Sequence, residues 1–322
     1  MCEYCNLPFI QFDVQDKVFF PCCGAWCNYY RVVADNVSDA WYSKEMQEFR
    51  RTILDGSYKY CSDLCPLKGI FKPITKNTYQ GPNDPRLTPS LECIKVCSDY
   101  TCNLKCKMCR DRIIITDPRK VVNQLNQIEQ EFGNTLKVLE LSGCGDPIAS
   151  KPMLRWLQFF DPKRFPNLEC IRLDTNMQLL TPELWKTLER VKPFIRHFNI
   201  SIDAATKETY EKVRRGGSWD ALVENCKYVV ENLDVQEYHI SFCICKDNLQ
   251  EIERFYYLCR EMFPKNLTQI LYQEVLWFPE RVSKTSFEEL SSFTEEDINI
   301  VKKQLEAIKG DKIVRVQSEL FN

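Results

Sequence analysis

Three closely spaced cysteines offer the clearest chemistry in this 322-residue chain: Cys102, Cys106 and Cys109. The spacing C-x3-C-x2-C places three thiolates on one short loop, where they can hold one face of a four-iron, four-sulfur cluster. Three protein ligands leave one iron open to bind a substrate or cofactor directly. The alternatives are structural thiols or a zinc site, but zinc prefers C-x2-C pairs or histidines, and His197 and His239 are the only histidines.

The other cysteines are unevenly distributed along the chain. Twelve of the 18 fall within the first 109 positions, and we expect a reducing compartment, in which cysteines bind metals or clusters more often than they pair as disulfides. The 43 basic and 45 acidic residues give a net charge of −2, which provides no electrostatic basis for binding nucleic acid or a membrane surface. No apolar run approaches the length of a membrane span and the N-terminus has no signal-peptide pattern, so a cytoplasmic protein is expected.

The elements that must position the three cysteines begin near Glu92, where strands start to alternate with amphipathic helices. One helix is predicted from Pro118 to Phe132 and another from about Trp219, and the tail after Thr294 predicts one more helix and a short strand. The segments that we interpret as strands lie near 92–97, 137–142, 169–174, 197–203, 238–245 and 268–273. The cysteine loop directly follows the first of them.

Several predicted strands carry polar residues on one face and apolar residues on the other. In the fourth strand His197, Asn199 and Ser201 alternate with Phe198 and Ile200. Strands buried against helices on both faces would be apolar throughout, so the polar face indicates a cavity for a polar ligand. The alternative is a set of half-exposed strands with one solvated face.

The cysteine triplet, the strand–helix repeat and the turn Ser142-Gly-Cys-Gly-Asp146 resemble the radical S-adenosylmethionine (SAM) superfamily. The resemblance implies an α/β fold, a (βα)6 partial TIM-type barrel, with SAM bound to the open iron of a 4Fe–4S cluster. It implies that Met108 stands where an aromatic residue usually covers adenine. It also implies SAM contacts by the turn residues Gly143, Gly145 and Asp146 and by Ser201. Asn176 and Asp203 are further candidates, because they follow the ends of predicted strands, where ligands of α/β sheets bind. Arg215 could pair with the SAM carboxylate, or it could be a solvated residue at a helix end.

The cysteine-rich segment before the barrel resembles the SPASM/twitch module, which binds auxiliary 4Fe–4S clusters and usually follows the barrel. The resemblance implies one auxiliary cluster held by Cys5, Cys22 or Cys23, Cys61 and Cys65, and a zinc-ribbon-like module is the alternative. The further cysteines that could hold a second cluster, or be structural, are Cys2, Cys27, Cys93 and Cys97. The expected domains are residues 1–72 for this module, 73–90 for a linker and 91–322 for the barrel.

The resemblance further implies a reaction that begins when a flavodoxin or ferredoxin reduces the cluster. The reduced cluster then cleaves SAM to a 5′-deoxyadenosyl radical, and this radical abstracts hydrogen from a small molecule, sugar or short peptide. An auxiliary cluster that accepts the substrate electron gives an oxidised product. A thiol that returns hydrogen gives an epimer, and Cys243 and Cys245 on the inner strand face are the candidate donors, although both also fit as buried core residues. The alternative from another class is a non-catalytic iron–sulfur or zinc protein that binds partners.

Overall fold

The structure is a computed structural model that describes residues 4–63, 65, 77–141, 144–318 and 320–321. The chain divides into two compact units. The first contains Met1–Asp99, Thr116–Cys144 and Asp161–Ile171, and the second contains Tyr100–Ile115, Gly145–Phe160 and Arg172–Asn322. The predicted boundaries at residues 72 and 90 remain predictions, and Cys2 and Gly143 lie outside the described residues.

The described residues of the first unit form a short sheet and four α-helices. Its strands are β1 (Gln11–Gln15), β2 (Val18–Phe20), β3 (Val32–Val33), β4 (Cys93–Val96) and β5 (Val138–Leu141), and its helices are α1 (Leu7–Ile10), α2 (Val37–Trp41), α3 (Lys44–Leu54) and α4 (Pro118–Phe132). β1 pairs in parallel with β4, and β4 pairs in parallel with β5. On its other edge β1 pairs antiparallel with β2, which pairs antiparallel with β3. The cysteine-rich segment therefore extends the sheet to which the first predicted strand belongs.

The second unit continues the alternation of strands and helices. Its strands are β6 (Cys170–Thr175, of which the first two residues are counted with the first unit), β7 (Ile195–Ser201), β8 (Glu237–Ile244), β9 (Leu267–Glu274) and β10 (Val314–Gln317). Its helices are α5 (Lys151–Gln158), α6 (Pro182–Trp185), α7 (Lys207–Val213), α8 (Trp219–Asn232), α9 (Ile252–Met262), α10 (Lys284–Ser291) and α11 (Glu295–Ile308). β7, β8, β9 and β10 pair in parallel in chain order.

The predicted fold class is confirmed as a mixed α/β chain with parallel strands, in which a cysteine-rich region precedes the strand–helix repeat. The six predicted strands correspond to β4 through β9, each within two residues at its ends. The helix predicted from Pro118 to Phe132 has those bounds, because the Asp117 side chain caps its first turn. The predicted C-terminal helix and strand correspond to α11 and β10.

Side-chain burial follows the alternation that the sequence predicts. In β6 the apolar residues Ile171 and Leu173 are fully buried, while Arg172 and Asp174 between them are partly exposed. β7 has the same division from Phe198 to Ser201, but His197 on the predicted polar face is buried. The polar sides of the strands are therefore less tightly enclosed than the apolar sides. Among the described residues, no helix has the length and apolar character needed to cross a membrane.

Candidate active site

The cysteine loop, residues 100–112, follows β4 and is fixed by backbone hydrogen bonds to the end of α7. The amide of Lys105 donates to the carbonyl of Arg215 at 2.9 Å, and the amide of Lys107 donates to the carbonyl of Val213 at 2.9 Å. Within the loop, the amide of Cys109 donates to the carbonyl of Cys106 at 3.0 Å. These hydrogen bonds hold the backbone that carries the three thiols against the end of α7.

Each of the three thiols has a nitrogen donor from elsewhere in the second unit. Asn176 Nδ2 lies 3.6 Å from Cys102 Sγ, Arg214 Nη1 lies 3.5 Å from Cys106 Sγ, and Arg281 Nη1 lies 4.0 Å from Cys109 Sγ. Burial raises the pKa of the Cys106 thiol to about 11, and the neighbouring guanidinium opposes this shift. Cationic and amide donors directed at sulfur stabilise thiolate charge, so this donor set fits a thiolate-bound iron cluster.

Arg214 connects the cysteine loop to the end of β7. Its Nη2 lies 2.5 Å from Asp203 Oδ2, and both side chains are almost fully buried. The second carboxylate oxygen of Asp203 accepts from the amide of Cys243 at 2.7 Å, and Asp203 itself has φ +62°. Burial raises the pKa of Asp203, whereas the guanidinium of Arg214 opposes that shift. A buried ion pair of this kind is retained only where both charges have further partners.

Arg215, which the sequence assigned to the SAM carboxylate, holds the cysteine loop. Its Nε donates to the carbonyl of Lys105 at 3.0 Å, and its side chain is 44% exposed. The buried neighbour is Arg214. The turn that separates them from α8 contains Gly216 at φ +92°, a conformation that side chains beyond glycine rarely adopt. A SAM contact by Arg215 stays a prediction.

Asp146 is buried and makes hydrogen bonds to three segments of the second unit: its own turn, the end of β6 and the cysteine loop. Its carboxylate accepts from the amides of Ile148 at 2.9 Å and Asn176 at 2.8 Å, and from Thr175 Oγ1 at 2.9 Å. Its own amide donates to the carbonyl of Thr101 in the cysteine loop at 2.8 Å. Asp146 therefore orients Asn176, whose amide reaches the thiol of Cys102. Its direct contact with SAM stays a prediction.

Met108, Cys243 and Cys245 lie in one apolar cluster of the second unit. The remaining buried members are Leu104, Cys106, Val213, Val275 and Leu290, with Cys102, Cys109 and Phe287 packed against them. Cys243 keeps 9% of its surface exposed, whereas Cys245 is fully buried. Burial raises the pKa of both thiols, so each carries its hydrogen at neutral pH. Of the two candidate hydrogen donors, only Cys243 retains any accessible surface.

Ser201 and Gly145 occupy positions at the ends of their segments. Ser201 accepts from Ser241 Oγ at 3.2 Å across β7 and β8, and it is half-buried. Gly145 is half-buried in the turn that precedes Asp146. Ligands of α/β proteins bind at the carboxyl ends of parallel strands, and Ser201 ends β7. The roles of Ser201 and Gly145 toward SAM stay predictions.

In the first unit, several N-terminal cysteines lie in a second apolar cluster built around Phe9, Phe20 and Phe49. Its cysteines are Cys5, Cys22, Cys27 and Cys61. The carbonyl of Cys23 accepts from the amide of Cys27 at 3.3 Å, and the amide of Cys65 donates to the carbonyl of Ser62 at 3.3 Å. Hydrogen bonding to Cys27, together with burial, raises the pKa of the Cys22 thiol.

The sequence does not identify two of the side chains that contact the thiols, Arg281 and Arg214, and it does not place Cys27 beside Cys22 and Cys61. Arg281 has no local signal, since it lies 172 residues beyond Cys109 and contacts it through the fold alone. Arg214 adjoins Arg215, and only the fold shows that Arg214 is the one whose side chain is buried beside Cys106. Cys27 was placed in a second-cluster group, because spacing alone does not indicate which of the adjacent thiols share a core.

Comparison with known proteins gives a family match whose residues lie mostly in the second unit. Residues 100–259 match the family model of the Radical SAM superfamily. The chain is similar in fold to anSMEcpe with bound AdoMet (TM-score 0.50, 19% identity, covering 71% of this chain and 61% of that one). Two further similar structures are Streptococcus suis SuiB bound to S-adenosylmethionine (TM-score 0.49, 14% identity, covering 96% and 72%) and a radical SAM methyltransferase from Sphaerobacter thermophilus (TM-score 0.45, 17% identity, covering 71% and 67%). No curated protein matches the sequence significantly.

Proposed function

We propose that this chain cleaves SAM reductively and abstracts hydrogen from a small-molecule, sugar or short peptide substrate, because residues 100–259 match the family model of the Radical SAM superfamily. We further propose that an auxiliary 4Fe–4S cluster accepts the substrate electron, which makes the net reaction an oxidation. The observation that carries the proposal is the set of three thiols on one loop, each with its own nitrogen donor.

Cys102, Cys106 and Cys109 would hold the SAM-binding 4Fe–4S cluster, which supplies the electron for reductive cleavage when it is bound. Arg214 and Arg281 place positive charge beside two of the ligand sulfurs. Asn176 donates to the third sulfur and is itself oriented by Asp146. These residues would make it easier to add an electron to the cluster that the cysteine loop holds. A flavodoxin or ferredoxin is the proposed reductant, and a cytoplasmic location is part of the same proposal.

Exposed apolar side chains beside the site support a substrate with an apolar part. Leu276 and Trp277 directly follow β9 and are 60% and 46% exposed. Ile113 and Ile115 directly follow the cysteine loop and are also exposed. Large apolar side chains that remain exposed near a strand-end site often contact a ligand. This surface favours a substrate that is not purely ionic.

The N-terminal cysteine cluster supports the auxiliary site. The resemblance implies Cys5, Cys61 and either Cys22 or Cys23 as ligands, and of these Cys5, Cys22 and Cys61 share one apolar cluster with Cys27. Four thiolates are the usual ligand set of a 4Fe–4S cluster, so we propose Cys27 as a candidate beside Cys23 and Cys65. A zinc ion held by the same thiolates is the competing proposal.

Iron counting after substitution tests the auxiliary cluster. Anaerobically reconstituted Cys27→Ser and Cys61→Ser variants are expected to lose about four irons per chain while they still cleave SAM, because the cysteine loop is untouched. Cys259→Ser, a fully buried core cysteine on α9, is the matched control and should keep its iron. Zinc in place of the missing iron, or unchanged iron in both variants, would contradict the auxiliary-cluster proposal.

Epimerisation is the second candidate, and the position of Cys243 supports it. Cys243 packs in the same apolar cluster as Cys106, and the residue keeps 9% of its surface exposed. With an active substrate in D2O, an epimerase would incorporate one deuterium and lose this incorporation in Cys243→Ala. Cys245→Ala, altered at a fully buried position, should retain it. Incorporation that is the same in both variants would exclude Cys243 as the donor.

A further inference from the structure

The two histidines of the chain face each other across β7 and β8. His197 lies opposite Glu237 in the parallel register, and His239 follows two residues after Glu237 on the same strand face. The imidazole centroids are 4.3 Å apart with an angle of 81° between the rings. The predicted SAM contacts Ser201 and Asp203 do not account for this pairing, because they lie four and six residues beyond His197, at and after the carboxyl end of β7.

Glu237 joins the two imidazoles through one carboxylate oxygen. Oε2 lies 3.0 Å from His197 Nδ1 and 3.7 Å from His239 Nε2. One ligand atom from each of the three residues lies within 4.8 Å of the others. Nitrogen and oxygen atoms at such mutual distances can bind one ion with only small rotamer adjustments, because metal–ligand bonds near 2.0–2.2 Å put ligand atoms about 3–3.5 Å apart.

From this geometry we propose that His197, Glu237 and His239 bind a divalent first-row transition ion. Two imidazoles and one carboxylate are the donor set of open zinc sites and of non-haem iron(II) sites. Three protein ligands leave at least one coordination position for water or a small anionic ligand. The set contains no thiolate, so its chemistry differs from that of the cysteine sites.

The surroundings of the three residues suit a cation that can enter from one side. His197 is only 5% exposed, whereas His239 and Glu237 are 31% and 47% exposed. Arg172 brings one positive charge to the two imidazoles, but Asp174 and Glu237 bring two negative charges. With neutral imidazoles this group carries a net charge of −1, which favours a divalent ion over an anion.

Zinc uptake by the cluster-loaded protein tests the proposal, since iron then occupies the ligand thiols. Wild type and the His239→Gln and Glu237→Gln variants are reconstituted anaerobically, incubated with Zn2+, desalted and analysed for metal. We expect wild type to retain one zinc more per chain than either variant. Glu261→Gln makes the same chemical change at an exposed residue of α9 and should match wild type.

Zinc-edge X-ray absorption identifies the ligands of the retained ion. The expected spectrum has a nitrogen and oxygen first shell with the outer-shell scattering of two imidazoles, and that scattering should disappear in His239→Gln. Equal zinc in wild type and both variants, or a first shell of sulfur alone, overturns the proposal. Iron content and circular dichroism report whether each variant is folded, and Glu237→Gln decides the question if His239→Gln is not.

Discussion

The contacts of Arg214 predict how two substitutions shift the reduction potential of the SAM-binding cluster: one should lower the potential and the other should raise it. Arg214 Nη1 lies 3.5 Å from the sulfur of Cys106, and Arg214 Nη2 lies 2.5 Å from Asp203. A positive charge beside a ligand sulfur stabilises the reduced cluster, which carries one more negative charge. Arg214→Gln should therefore lower the potential, whereas Asp203→Asn should raise it.

The size of the shift follows from the two distances. A unit charge about 4 Å from the sulfur contributes about 4 kcal/mol at an effective dielectric constant of about 20. If Asp203 lies roughly 6 Å from that sulfur, beyond the guanidinium, its carboxylate opposes this by about 3 kcal/mol. Removal of Arg214 then lowers the potential by about 50 mV if Asp203 takes up a proton, and by about 170 mV if it stays ionised. Removal of the carboxylate alone raises it by about 120 mV.

An EPR-monitored redox titration without SAM measures these potentials. Arg214→Lys keeps the charge but loses the planar donor geometry, so we expect an intermediate shift. Arg215→Gln is the matched control, because its side chain is largely exposed and contacts the carbonyl of Lys105. It should change the potential by less than about 20 mV, because solvent screens its charge.

The electrostatic reasoning would be refuted if Arg214→Gln kept its iron and a potential within about 20 mV of wild type. It would also be refuted if Arg214→Gln and Asp203→Asn shifted the potential in the same direction. Loss of iron from Arg214→Gln would instead leave Arg214→Lys and Asp203→Asn to decide the sign.

Two further predictions concern buried carboxylates that the structure surrounds with donors. Hydrogen bonds from Arg86 lower the pKa of Asp84 to about 2, whereas the pKa of an aspartate in the unfolded chain is about 3.9. The ionised Asp84 carboxylate therefore stabilises the fold above about pH 4, and this stabilisation is lost as the pH falls toward 2. In urea unfolding of the apo-protein, Asp84→Asn should cost roughly 2 kcal/mol at pH 7 and much less near pH 2; an equal cost at both pH values would contradict this. Asp146→Asn places an amide against the donors from Thr175 and Asn176, so the free energy of unfolding of this variant should fall by about 1–3 kcal/mol in thermal unfolding. An unchanged unfolding midpoint would contradict a stabilising role for these hydrogen bonds.

Local patterns explain why most of the fold could be predicted from the sequence. In β6, burial alternates with a period of two, and the same alternation is visible in the residues themselves. The helix from Pro118 to Phe132 carries its cap, its proline and its apolar face within fifteen residues. The residues that determine such an element are close together in the sequence, so the ends of the element can be predicted from the sequence.

Contacts between distant segments could not be predicted in the same way. The parallel pairing of β1 with β4 joins residues about 80 positions apart, which no local pattern indicates. Arg281 reaches Cys109 only through the fold, and the choice between Arg214 and Arg215 depends on which side chain the turn directs inward. The polar strand face predicted the side on which His197 lies, but only the register of β7 with β8 brings it opposite Glu237.

Formation of 5′-deoxyadenosine from SAM tests the central claim most directly. Anaerobically reconstituted protein with dithionite should release 5′-deoxyadenosine and methionine in equal amounts. The Cys102→Ala/Cys106→Ala/Cys109→Ala variant, which lacks all three ligands of the cysteine loop, should release neither. Product formation by wild type no greater than that of this variant, with iron bound to the wild-type protein, would contradict the proposed function.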